Sequence, residues 1–191
     1  MRDKAHPPGA GKDSFSIVDT ERLFQLLPLS RCRVLLDLGC GRGTYSLALA
    51  GATSSRILAI DLWWKGLEEL AKALAERKLP RVYPILADIG QGIPAKGAAV
   101  DLCLMVNVFH EMVIQKKESK ALEEVSRVLK PLGTLAIIEF KLLPGPPGPP
   151  IHIRIGPEEL KDKVEPHGFK KEKVTSIGRY SYLAMFHRQP R

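Results

Sequence analysis

Residues 33–46 read RVLLDLGCGRGTYS: a short apolar run, then Gly39, Gly41 and Gly43 in alternate positions, then residues that suit a helix. Alternating glycines continue neither a strand nor a helix, because each adds backbone freedom and offers no side chain to pack. The stretch therefore predicts a buried strand, a tight loop and a helix. That is the opening unit of a parallel sheet, since parallel strands need a crossover between them.

The alternation repeats along the chain. Apolar runs at 56–61 (RILAID), 81–88 (RVYPILAD), 100–109 (VDLCLMVNVF) and 134–140 (TLAIIEF) predict strands two to five, the fifth following a turn at Pro131–Gly133. Between them, 44–51 predicts a helix closed by Gly51, and 67–78 (LEELAKALAERK) and 116–130 (KKESKALEEVSRVLK) predict strong helices. The segment 89–98 is too rich in Gly and Pro for a substantial helix. Near-continuous apolar strands alternating with helices indicate a parallel sheet covered on both faces. Upstream, Ser14 to Leu27 carries apolar residues near helical spacing and predicts a leading amphipathic helix that Pro28 helps end. Downstream, 142–150 (LLPGPPGPP) is a stiff loop and 157–168 a helix with Pro157 in its first turn. The runs 171–177 and 180–187, around Gly178–Arg179, predict an antiparallel hairpin.

With 191 residues, the chain suits one α/β domain over 13–191, preceded by a mobile tail at 1–12 that carries two prolines and two glycines. Its N-terminus has no apolar core of a secretory signal, and its apolar runs fall far short of the roughly 20 residues that cross a bilayer, so a cytoplasmic protein without membrane contact is expected. Cys32, Cys40 and Cys103 form no CxxC pair, which speaks against a disulfide framework and a structural zinc site. The net charge of +8 points toward nucleic acid, but the basic residues interleave with Glu along helices, the pattern of a solvated face.

Three acids stand at the ends of three successive strands: Asp37, Asp61 and Asp88. Each alone reads as a turn residue or a helix cap. Together they mark the edge where open α/β sheets bind ligands. A carboxylate two residues before the first glycine repels a pyrophosphate and suits a cationic group. Asp61, 18 residues after Gly43, suits the two hydroxyls of a ribose, and Asp88 an adenine amino group.

DLGCGRGTYS (37–46) resembles the first motif of class I S-adenosylmethionine-dependent methyltransferases. AIDLWW (59–64) resembles their second-strand acidic motif, and ADIG (87–90) the adenine-side motif. VDLCLMVNVFHEM (100–112) and LEEVSRVLKPLGTLAIIEFK (122–141) follow in the family's order. The small-molecule branch that methylates ubiquinone and menaquinone precursors is the nearest in flavour. The resemblance implies a Rossmann-like, mostly parallel seven-stranded sheet with helices on both faces and an antiparallel C-terminal strand. It also implies S-adenosylmethionine as cofactor. By the same resemblance Gly39, Gly41 and Gly43, with Cys40 among them, line the methionine portion, and Asp37 lies beside its amino group. Asp61 holds the ribose, Leu62 flanks adenine, Asp88 and Ile89 close the adenine side, and Asn107 faces the methyl group.

Tyr45, in the first helical turn, is a further candidate for the cofactor carboxylate, with packing as its plainer reading. His110 and Glu111, just past strand four, are the candidates for a catalytic base where the acceptor carries a proton. Glu139 is an acid near the site with no assignable role, and His152 and Arg154 are candidates to touch an anionic substrate, with solvated loop residues as their plainer reading. No metal site is expected. The acceptor is expected to be a small molecule; a protein or RNA acceptor is supported only by the charge. An NAD-binding fold calls for Gly-x-Gly-x-x-Gly, but Thr44 stands where its third glycine belongs.

Overall fold

The computed structural model describes Gly11 and residues 13–190, so the tail expected over 1–12 lies, apart from Gly11, outside the described residues. Seven strands form one sheet in the order β3-β2-β1-β4-β5-β7-β6. β1 (Val34–Leu38) is central, with every residue from Leu35 to Leu38 buried, and it pairs in parallel with β2 (Arg56–Asp61) and β4 (Val100–Val106). β3 (Val82–Leu86) is an edge, where Pro84 costs no ladder on its open side. β5 (Leu129–Phe140) runs parallel to β4, and β7 (Ser181–Arg188) is antiparallel to both β5 and β6 (Phe169–Ser176).

The period-two geometry of the strands divides their side chains between two layers. Leu35, Leu102, Leu104 and Ile138 pack with α1 (Thr20–Leu26), α2 (Thr44–Ala52) and α3 (Trp64–Arg77). Leu36, Leu38, Met105 and Ile137 pack with α4 (Phe109–Ile114), α5 (Glu118–Val128) and α6 (Pro157–Val164). Among the described residues no helix is long and apolar enough to cross a membrane.

Local detail departs from the sequence-based reading in four places. The leading segment is a 3₁₀ turn at Phe15–Ile17 and a separate α1, because the Asp19 side chain accepts from the Arg22 backbone N–H and restarts the helix. α2 continues through Gly51 to Ala52, Gly51 lying on the exposed side where no packing is lost. The Pro131–Gly133 turn does not precede β5 but sits within it as a bulge, where Leu132 adopts φ 62° and the register with β4 jumps between Val100 and Leu102. β4 stops at Val106, since Asn107 takes φ 51° and turns the chain into α4.

That last turn positions the site. The chain crosses from one half of the sheet to the other between β1 and β4, and a crevice opens at the C-terminal ends of strands where connections diverge in this way.

Candidate active site

A cavity of about 460 Å³ lies over the C-terminal strand ends, a size in the range of small-molecule sites (roughly 300–1,000 Å³). The strand order arranges its wall. Asp88 and Ile89 follow β3, Asp61 and Leu62 end β2, the glycine loop follows β1, Asn107, His110 and Glu111 follow β4, and Phe140 ends β5. The leading segment contributes Asp13, Ser14 and Ile17, and the proline-rich loop Pro147, Gly148 and Pro149.

Asp61 organises the glycine loop. Its Oδ2 accepts from the Gly41 N–H at 2.7 Å and its Oδ1 from the Trp63 N–H at 2.7 Å. Each oxygen keeps a lone pair for another donor. Asp37 is 2% exposed and accepts from Ser46 Oγ on α2 at 2.6 Å. Burial pushes its carboxyl up to about 7, against the opposing Ser46 bond and with the help of the nearby Asp61 charge. Cys40 lines the cavity, its thiol pushed well above its usual range by burial and by Asp37 and Asp61. Asp88 accepts from the Gly90 N–H at 2.9 Å and lies 3.3 Å from Lys117 Nζ, a second basic wall residue beside Arg42. Lys117 reads in sequence as part of a solvated basic run, and nothing local marks it as facing Asp88.

Both amide atoms of Asn107 are buried and have no hydrogen-bond partner among the described residues. A buried, unpaired polar group costs about 1–3 kcal/mol, so an amide held this way at a cavity wall fits a ligand that supplies its partners. A Cβ placed on Gly41 would meet nothing within 4 Å, leaving backbone open to the cavity, whereas one on Gly39 would run into Val108.

Gly43 does not line the cavity. It takes φ 77° at the N-cap of α2, and a Cβ there would stand 2.4 Å from Leu70 Cδ1, a side chain buried in α3. Packing against α3 is thus a requirement on this glycine beyond the cofactor role that the resemblance implies. Gly43→Ala is accordingly expected to destabilise the protein by about 2–4 kcal/mol, from left-handed strain plus overpacking. Thermal unfolding with and without ligand checks this; a variant as stable as the parent contradicts the packing role.

Tyr45 faces the cavity, but its hydroxyl lies 3.2 Å from Ser14 Oγ and its ring meets Phe15 edge-on at 5.2 Å. It ties the leading segment over the glycine loop. Trp63 is buried, with Trp64 exposed on the outer face.

At the β5 side, His110 is 5% exposed and Glu139 fully buried. Glu139 Oε2 lies 2.8 Å from His110 Nδ1, and Oε1 accepts from the His110 backbone N–H at 3.0 Å. His110 Nε2 is 3.6 Å from Glu111 Oε1 on the cavity wall. Glu139, without a role in the sequence, is thus the carboxylate that orients the candidate base. Arg154, read as solvated, is 5% exposed and holds the proline-rich loop from within. His152 is exposed.

Residues 36–137 match the family described as methyltransferase domain. The chain belongs to this family. A solved S-adenosylmethionine-dependent methyltransferase from Aquifex aeolicus superposes on the domain with a TM-score of 0.83 at 25% identity, covering 96% of this chain and 94% of that one. The 27-O-demethylrifamycin SV methyltransferase of Amycolatopsis mediterranei is 30% identical over 130 residues, which are 68% of this chain and 46% of that protein, so this chain spans about half the length of that relative. The [4+2]-cyclase SpnF shares the fold, with a TM-score of 0.74 at 19% identity over 94% of this chain and 85% of that one.

Membership of the methyltransferase domain family implies S-adenosylmethionine as the group to be held. The wall fits it: a row of three aspartates for its cationic and hydroxylated parts, an open backbone at Gly41, and the unsatisfied Asn107 amide.

Proposed function

We propose that this chain transfers a methyl group from S-adenosylmethionine to a hydroxyl of a small molecule, with His110 as the base. The observation that carries the proposal is the oriented His110–Glu139 pair on the wall of the cavity that the aspartate row edges. When bound, S-adenosylmethionine supplies a methyl group on a sulfonium sulfur, already a good leaving group.

The residues of the chain then have three tasks. The first is to hold the donor. Asp61 takes the ribose hydroxyls on its remaining lone pairs, Asp88 and Ile89 bound the adenine, and Asp37 with the Gly41 backbone faces the amino-acid end. The second is to remove the proton that an attacking hydroxyl must lose. Glu139 is assigned the part of acceptor from His110 Nδ1–H at 2.8 Å, and Nε2 that of the nitrogen that takes the proton of the attacking hydroxyl. Once Nε2 takes the proton, Glu139 and Glu111 flank the imidazolium and stabilise it. The third task is to exclude water, which the leading segment and the proline-rich loop perform from opposite sides.

A small acceptor is favoured by the relative that methylates 27-O-demethylrifamycin SV and by the enclosing wall. Glu111, the cavity carboxylate beside His110, does not suit a polyanion despite the net charge of +8.

Calorimetry with S-adenosylhomocysteine and with NAD tests the donor assignment. Binding of the first and not the second is expected, and the reverse contradicts the reading. Asp61→Ala is expected to weaken S-adenosylhomocysteine by about 1.5–3 kcal/mol, the range for hydrogen bonds to a charged group. An unchanged affinity rules out the ribose assignment. A labelled-methyl screen over hydroxylated metabolites then identifies the acceptor; steep loss of acceptor binding with salt would instead indicate a nucleic acid.

A further inference from the structure

The loop between β5 and α6 is built around a single side chain. Arg154 Nε donates to the Pro149 carbonyl at 2.8 Å, Nη1 to Lys141 and Leu143 at 3.1 and 2.6 Å, and Nη2 to Gly145 and Pro147 at 2.7 and 2.9 Å. The acceptors are alternate residues from 141 to 149, and the five bonds use all five N–H donors of a guanidinium. Prolines have no N–H with which to form a ladder of their own, so these inward carbonyls depend on the buried arginine. Its donors are committed to backbone, which leaves none for an anionic ligand.

The loop is also seated on the site. Pro147, Gly148 and Pro149 line the cavity beside Phe140. A Cβ on Gly148 would lie 2.8–2.9 Å from the Phe140 ring, so the backbone rests directly against the ring face or edge with no room for a methyl group. The guanidinium carbon of Arg154 stands 5.5 Å from the same ring's centroid. Loop, ring and arginine form one packed unit at the β5 side, the end of the strand row farthest from Asp88 and the end where His110 and Glu139 stand.

We propose that Arg154 is a positioning residue for the methyl acceptor, holding residues 141–149 as a preformed wall that selects an uncharged, flat ring bearing a hydroxyl. The inference rests on the methyl-transfer reading above. Proline and phenylalanine rings offer flat apolar faces. Glu111, on the wall 3.6 Å from His110, disfavours an anion, and the base requires an acidic hydrogen on the acceptor. Because the wall is already ordered, the acceptor does not bear the cost of ordering it.

The test uses the complex with S-adenosylhomocysteine, probed with 2-naphthol and, as an anion of the same ring, naphthalene-2-sulfonate. The parent is expected to bind 2-naphthol at least about tenfold more tightly than the sulfonate, and Arg154→Met to lose about tenfold in affinity for both ring ligands, with S-adenosylhomocysteine unchanged within about twofold. Arg154→Lys, with three donors at a point in place of a five-donor fork, is expected to restore little. Gly148→Ala, which lifts the loop from Phe140 without touching the arginine, is expected to reproduce the loss and carries the test if Arg154→Met fails to fold. A general structural defect weakens S-adenosylhomocysteine along with both ring ligands, and that result, or unchanged ring binding, would overturn the positioning role. Equal binding of both probes by the parent overturns the acceptor class. Absence of 2-naphthol binding with S-adenosylhomocysteine bound sinks this inference alone, whereas absence of S-adenosylhomocysteine binding sinks the methyl-transfer reading itself.

Discussion

His110→Ala is expected to slow methyl transfer by about 10²–10⁴-fold, the usual range for removing a positioned general base. Affinity for S-adenosylhomocysteine is expected to stay within a few-fold, because the residues proposed to hold the donor, Asp37, Asp61 and Asp88, stand at the ends of β1, β2 and β3, whereas His110 follows β4. Glu139→Gln should fall between the parent and His110→Ala. An amide oxygen still accepts from Nδ1–H at the observed 2.8 Å, but it brings no charge to stabilise the imidazolium. The measurement is labelled-methyl transfer at saturating acceptor, with calorimetry of S-adenosylhomocysteine on the same preparations. A variant that keeps most of its rate would show that the ring is only a wall and that solvent removes the proton.

The pairing behind that expectation was not legible in the sequence, and the reason is geometric. His110 and Glu139 are 29 residues apart, and they meet because β4 and β5 run in parallel with Val106 opposite Ile138, which sets Glu139, the next residue of β5, level with the chain that leaves β4 for α4. Register of that kind is a property of the assembled sheet. The aspartates were legible for the converse reason. Asp37, Asp61 and Asp88 each close a local apolar run, and in a parallel sheet the end of a run is already a place in space. Arg154 lay at the other extreme, since an arginine beside a proline-rich stretch looks solvated until five carbonyls are seen to converge on it. The contact of Gly43 with Leu70 was not legible, because spacing along a loop does not say which side faces a ligand and which faces α3. Alternating glycines, in other words, announce a turn, and only packing divides them into those that admit a ligand and those that admit a neighbouring helix.

Asp37→Asn is expected to make the ligand-free protein more stable at pH 8 and to make it bind S-adenosylhomocysteine less well. Burial holds the Asp37 carboxyl at about 7 in the folded chain, against 3.8 for the exposed group. Between those values the folded state keeps a proton that the unfolded state has released, so stability falls as pH rises from about 4 to about 7. Below that window both states are protonated and the cost vanishes. Above it the cost is complete, up to about 4 kcal/mol at 1.36 kcal/mol per pH unit. The asparagine variant lacks this slope and should melt several degrees higher at pH 8, at about 2–4 °C per kcal/mol for a chain of this size. Ligand binding runs the other way. A cationic amino group at Asp37 needs the ionised carboxylate, so affinity in the parent should weaken as pH falls below about 7, and the variant should lose about 1.5–3 kcal/mol at pH 8 with little pH dependence left from this group. Thermal unfolding and calorimetry across pH 5–8 read both effects on one pair of proteins. An asparagine variant that is less stable at pH 8, or that binds as tightly as the parent, would mean that Asp37 serves the fold through Ser46 and has no part in holding the donor.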